Sequence, residues 1–164
     1  MTSTTRNFLG IPVEGDITEG STRVEQKPIE EFQPTLQAML DDPTIVEFGW
    51  RQYTPYFNDG EPCEFSAYGT WVRTTDDKDV EDDYELEVDS HRTLGKRPYR
   101  RQPDGEYAVQ PYEGPDEARY DRCRALGGAV EGGRFETVLL AAFGDHAAVT
   151  VRRDGIQVDF YEHD

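Results

Sequence analysis

Asp145-His146 and His163-Asp164 each set a carboxylate beside an imidazole, the pairing that serves metal binding and proton transfer. Cys63 and Cys123 are the candidate nucleophiles, with His91, His146 and His163 as candidate bases. Asp76, Asp77, Asp79, Glu81, Asp82, Asp83, Glu85, Glu87 and Asp89 crowd nine carboxylates around a single base, Lys78, a density suited to a divalent cation or a basic partner. Each set also has a plainer reading. Acid–imidazole neighbours at element ends are commonly caps, a cysteine beside Phe65 on an apolar strand face acts as a small hydrophobe, and a block of like charge is commonly a solvated tip.

Spacing narrows these choices. Asp77, Asp79 and Glu81 match positions 1, 3 and 5 of an EF-hand calcium loop. Position 6 is then Asp82, where glycine is required, and position 12 is Val88, where a bidentate glutamate belongs, so that loop is excluded. An ad hoc Ca²⁺ or Mg²⁺ site over 76–83 and a solvated hairpin tip both stay open. The sequence has no CxxC, HExxH, P-loop, GxGxxG or GxSxG pattern. We therefore assign no catalytic residue, no metal ligand and no cofactor, and the reading points away from an enzyme.

The stretch Trp50–Cys63, WRQYTPYFNDGEPC, joins turn chemistry (Thr54-Pro55, Asn58-Asp59-Gly60) to more aromatic surface than a turn needs: Tyr53, Tyr56 and Phe57. Either the rings fold under the turn as a satellite cluster, or they form a partner-binding tip, a use for which tyrosine is well suited.

Elements must position these groups. Phe32, Leu36, Met39 and Leu40 mark a helix from Pro28 to Asp42, with Pro34 at its first turn or a kink. Alternation predicts strands over Ile45–Tyr53 and Cys63–Thr74, the latter with Cys63, Phe65, Ala67 and Trp71 on one face. A third strand fits Tyr84–Asp89, with Tyr84, Leu86 and Val88 inward. Its outward Glu85, Glu87 and Asp89 would stand about 6.6–7 Å apart, because alternate residues share a face. That resembles the spacing of phosphates along a DNA strand, which makes the ribbon a candidate DNA mimic. Residues 92–114, broken by Gly95, Pro98, Pro103 and Pro111, read as a long loop with at most short strands. Their basic cluster (Arg92, Lys96, Arg97, Arg100, Arg101) reads as an internal partner for the acidic strand. Pro115-Asp116-Glu117 opens a helix that Gly127-Gly128 closes, and a further helix spans Gly133–Phe143 with Gly144 as its cap. Ala147–Arg153 and Ile156–Tyr161 form a hairpin about Asp154-Gly155, pairing Val151 with Val158 and Val149 with Phe160.

The expected architecture is α+β: a flexible arm over 1–27, then one domain over 28–164 with an antiparallel sheet of about five strands and two or three helices on one face. A net charge of −17, from 34 acids and 17 bases, opposes direct contact with nucleic acid or anionic membrane and favours basic partners. The first residues carry no apolar leader and no stretch approaches a membrane span, which predicts a cytoplasmic protein with reduced thiols.

Gln52–Phe65 (QYTPYFNDGEPCEF), Phe143-Gly144-Asp145-His146, Arg153-Asp154-Gly155 and Tyr161-Glu162-His163-Asp164 together resemble a family of small acidic proteins of bacteriophages and some bacteria. The resemblance covers about a quarter of the chain and carries over no catalytic or binding residue. It implies a phage or mobile-element setting in the bacterial host cytoplasm, or in the virion. The expectation is an accessory protein that binds a basic, nucleic-acid-binding host protein through Asp76–Asp89, helped by Tyr53 and Tyr56. A virion or assembly component and a divalent-metal enzyme acting through 76–83 are the alternatives.

Overall fold

The alternation from Ile45 to Tyr53 produces the strand on which the domain is built. A computed structural model of the chain describes residues 6–13, 24–56, 60 and 63–163. Among them, strands β1 (Arg6–Phe8) and β2 (Ile11–Val13) pair as a short hairpin. Helix α1 (Ile29–Leu40) and strands β3 (Ile45–Tyr53) and β4 (Ser66–Thr74) follow. Strands β5 (Tyr99–Arg101) and β6 (Tyr107–Val109) form a second small hairpin. Helices α2 (Glu117–Glu131) and α3 (Glu136–Phe143) precede β7 (Ala147–Arg152) and β8 (Gly155–Phe160). The main sheet is antiparallel in the order β4-β3-β7-β8, and the fold is mixed α+β.

The three helices cover one face. Phe48 and Trp50 of β3, Val72 of β4 and Val149 and Val151 of β7 pack there with Phe32 and Met39 of α1, Leu126 and Val130 of α2 and Leu139 of α3. Trp50 meets Phe32 and Phe143 edge-on, at centroid distances of 6.4 and 5.8 Å. Aromatic pairs in this geometry add about 0.5–1.5 kcal/mol each beyond the area they bury. Gln52 is the polar member of this core: its Oε1 accepts from Trp50 Nε1 at 2.9 Å, and its Nε2 donates to the carbonyls of Leu139 and Gly144 at 2.9 and 2.7 Å.

Several expectations are corrected. Of the two places read for Pro34, the first turn is excluded: it lies inside α1, beyond that turn. α2 runs through Gly127-Gly128 to Glu131, because continuing places Val130 in the core, and burying valine outweighs the roughly 1 kcal/mol cost of each helical glycine. The β7–β8 register is shifted by two residues: Val149 pairs with Val158 and Val151 with Ile156, so Arg153-Asp154 make the turn and the same side chains keep the same faces. In β4 the expected alternation breaks at Gly69, which sits at φ +67°. Three β4 steps from Tyr68 to Trp71 oppose two β3 steps from Arg51 to Gly49, a bulge that turns Trp71 to the face opposite Ala67. There the indole lies over Gly49, where an added Cβ would stand 3.0 Å from the ring and 2.0 Å from the Val149 carbonyl oxygen.

Cys63 precedes β4 and is exposed, not set on an apolar strand face, whereas Cys123 in α2 is fully buried and burial pushes its thiol up to about 12. Titration of the native protein with a thiol reagent at pH 8 is expected to label one cysteine in the mixing time, and the second only after denaturant is added. Within the stretch read as an arm, Lys27 N donates to Arg134 O at 2.8 Å and Gln26 Nε2 to Gly133 O at 2.7 Å, tying residues 26–27 to the α2–α3 turn.

Candidate functional site

The acidic segment leaves β4 at Thr74 and is fastened at four points. Asp77 is buried, with Oδ2 accepting from Thr74 N and Oγ1, both at 2.8 Å, and Oδ1 from Thr93 Oγ1 at 2.7 Å. His91 Nε2 stands 2.9 Å from the same Oδ2, off the line of its ring N–H. Burial works to raise the Asp77 carboxyl; the hydrogen bonds from Thr74 and Thr93, with the His91 ring close by, outweigh it and hold the group below the usual carboxylate range. Arg73 Nη1 donates to the carbonyls of Asp77 and Val80, each at 2.7 Å. Leu86 and Val88 are buried, and Val88 N donates to Thr70 O at 2.9 Å.

The strand expected over Tyr84–Asp89 does not form. Asp82 Oδ1 accepts from Tyr84 N at 2.9 Å and caps a 3₁₀ turn over Asp83–Leu86, so a local side-chain bond competes successfully with extended pairing. Only the single bridge Trp71–Glu87 continues the sheet. Leu86 and Val88 point inward as expected, but Tyr84 is 59% exposed. The evenly spaced ribbon of Glu85, Glu87 and Asp89 is therefore absent. Glu87 pairs with Arg51 at 3.4 Å and Asp89 with Arg124 at 2.5 Å. Asp76, Asp79, Glu81, Asp82, Asp83 and Glu85 are exposed. The basic cluster of residues 92–101 turns elsewhere: Arg97 bridges Glu117 and Asp121 of α2, and Arg100 pairs with Glu113.

Tyr53 and Tyr56 belong to a different constellation, drawn from three separated stretches. Tyr161 N donates to His146 O at 2.7 Å, extending the hairpin so that His163 reaches His146, with Nδ1 of His146 and Nε2 of His163 2.7 Å apart. One of these nitrogens donates and the other accepts. Tyr56 stacks on His163 and His146 at 4.5 and 5.0 Å, and Tyr53 lies 3.8 Å from the His163 ring. Tyr68 and Tyr161 pack behind Tyr53, and burial together with hydrogen bonding to Tyr161 and Tyr53 raises the Tyr68 phenol well above its ordinary value. His146 adopts φ +54°, a conformation rare outside glycine. Asp145 secures this turn by accepting from Thr54 N and Oγ1 at 2.7 Å and from His146 N at 2.8 Å. Burial tends to raise the Asp145 carboxyl, and these bonds lower it overall. Phe57, the Asn58-Asp59 turn and Asp164 lie outside the described residues.

Arg51 joins the two regions. Its guanidinium lies 4.3 Å over the Tyr84 ring and 5.8 Å from that of Tyr161 while pairing with Glu87, so the acidic segment and the aromatic cluster meet on the helix-free side of the sheet. Sequence reasoning singled out Tyr53, Tyr56 and the two histidines separately and missed Tyr68, Tyr161 and Arg51. The quoted motif stretches contained most of the cluster, but nothing local announces that they converge.

The two imidazoles can pass a proton between them, and their neighbours are phenols, a threonine and a carboxylate already engaged by three donors. Among the described residues no group of three or more His, Cys, Asp or Glu side chains is arranged to hold a metal. No helix among them is long and apolar enough to cross a membrane. The fold and surface define a mixed α+β domain with an anchored acidic segment. No protein-family model, curated protein or solved structure matches the chain.

Proposed function

We propose that the chain is a non-enzymatic accessory protein of the bacteriophage type, which binds a basic host protein through the exposed carboxylates of Asp76, Asp79, Glu81, Asp82, Asp83 and Glu85. One observation carries this reading. Six exposed acids with Lys78 as the only base among them are held on a backbone fastened by buried Asp77, Leu86 and Val88 and by Arg73, so the charge is presented in a fixed arrangement. A preorganised surface loses less entropy on binding than a mobile tip of the same charge. A cleft of about 490 Å³ beside it, lined in part by Tyr84, Glu85, Ser90 and Arg92, has room for a partner's lysine or arginine side chain. Recognition here rests on charge and anchoring, not on a DNA-like spacing of carboxylates. The resemblance of the motif stretches to phage-borne acidic proteins supplies the setting.

The test is affinity capture from bacterial lysate at low salt, repeated with D76N/D79N/E81Q/D82N/D83N/E85Q. The expected result is a basic protein retained by the wild type, released as ionic strength rises, and captured about tenfold less by the neutralised variant. Capture of no basic protein, or equal capture by a variant with native circular dichroism, would overturn the reading.

A further inference from the structure

Beyond the bond from Tyr161 N to His146 O, His163 returns to the body of the protein ring first, against His146, Tyr56 and Tyr53. Nδ1 of His146 and Nε2 of His163 stand 2.7 Å apart. The ring centroids are 4.9 Å apart and the planes within 17°, so the two imidazoles meet end to end, nitrogen facing nitrogen. That is the geometry of an N–H···N bond, in which one ring gives the proton and the other a lone pair. Tyr56 lies against both rings, at 4.5 and 5.0 Å.

Such a bond tolerates one added proton but not two. An imidazolium can still donate to a neutral imidazole, whereas two imidazoliums both present N–H and neither can accept. Two positive charges then face each other across the contact. Asp145 supplies one compensating charge, its Oδ1 3.8 Å from Nε2 of His146. Burial raises its carboxyl, and the bonds from Thr54 and His146 N bring it below the ordinary range overall, so it stays ionised while histidine titrates. The titratable side chains in ring contact with the pair are phenols: Tyr53 and Tyr56 from the end of β3 and after it, and Tyr161 beside His163. Tyr68 of β4 packs behind Tyr53, and Phe160 of β8 adds an apolar ring against His146. The Arg51 guanidinium stands beyond Tyr161, 5.8 Å from that ring, and the exposed Glu162 adjoins His163 in the chain.

We propose that the His146–His163 bond is a proton-operated clasp, which holds residues 162–163 against Tyr53 and Tyr56 at neutral pH and is opened by the second proton. The tail is the half that moves. His146 is fixed at φ +54° between β7 and Asp145, which Thr54 holds by two bonds, while His163 lies beyond the last ladder bond. The open state binds one proton more than the closed pair can keep, so it gains as pH falls. Opening uncovers the parts of Tyr53 and Tyr56 that the His163 ring now covers.

Nuclear magnetic resonance of the full chain from about pH 8 to about pH 5 tests the proposal, because histidine changes charge in this range. At the upper end the facing nitrogens should report one donor and one acceptor, and Overhauser contacts should join His163 to Tyr53 and Tyr56. At the lower end both imidazoles should carry two protons and those contacts should be lost, with circular dichroism unchanged. His163→Phe keeps a ring against the tyrosines but takes no proton, so its contacts should persist at the lower pH. That variant leaves the third histidine, His91, in its buried place beside Asp77. The proposal is overturned by His163 contacts that are absent at the upper pH or that persist at the lower. It is equally overturned by the same loss of contact in His163→Phe, or by loss of the circular dichroism itself.

Discussion

Replacing Asp77 by alanine is expected to cost about 2–4 kcal/mol of folding stability, because several inward-facing donors lose the one acceptor they share. The carboxylate gathers Thr74 N, Thr74 Oγ1, Thr93 Oγ1 and the His91 ring into one cluster, joining the end of β4 to the far side of the acidic segment. Alanine leaves the Thr74 and Thr93 donors without this acceptor in a largely buried place. Urea denaturation at neutral pH measures the effect as a lower midpoint with an unchanged slope. Loss of less than about 1 kcal/mol would show that the segment is not fastened there.

The same residue sets part of the acid response. Its folded carboxyl lies below the ordinary value of 3.8, so its contribution is fully present above about pH 4 and is lost as pH falls through and below that range. Asp77→Asn keeps the shape but removes the titration. Its stability is expected to lie closer to that of the wild type at pH 3 than at pH 7.

Gln52→Leu is the second large effect, expected at about 2–4 kcal/mol despite the gain in apolar character. The substitution keeps much of the volume but strands Trp50 Nε1 and the carbonyls of Leu139 and Gly144, which the amide now satisfies together. The carbonyls belong to the middle of α3 and to its cap, so the near-ultraviolet signal of the tryptophans should weaken along with the loss of stability. Adding Trp50→Phe, which removes the indole donor, should cost less in the Gln52→Leu background than alone. Strict additivity would mean that the amide and the indole act independently.

Local pattern was enough wherever one face met one environment. Ile45–Tyr53 reads as a strand because Phe48 and Trp50 face the helices while Glu47 and Gly49 face the other side. A helix does open at Pro115-Asp116-Glu117, though with Asp116 as its N-cap, accepting from Arg119 N at 3.0 Å, and not inside its first turn. Pattern misled where tertiary contacts override it. Leu86 and Val88 alternate like strand residues, yet the bond from Tyr84 N to Asp82 caps a turn that takes in Leu86. Gly127-Gly128 looks like a stop until Val130 is seen to need its place in the core. The aromatic–imidazole cluster was the least legible part, because Tyr56, His146 and His163 meet only through the pairing of Tyr161 N with His146 O and the stacking that follows.

The bulge at Gly69 has a consequence for how the gene can change. The bulge absorbs one extra residue between Tyr68 and Trp71, so that Ala67 and Val72 serve one side of the sheet while Tyr68 and Trp71 serve the other. Deleting either Gly69 or Thr70 leaves Tyr68 and Trp71 two apart, so plain alternation keeps the indole on the side it already occupies, over Gly49. A one-codon loss from Trp71 to Thr74 has no such outlet, because it carries the residues beyond it to the wrong side. The bulge is thus where this strand can shorten without exchanging its two sides.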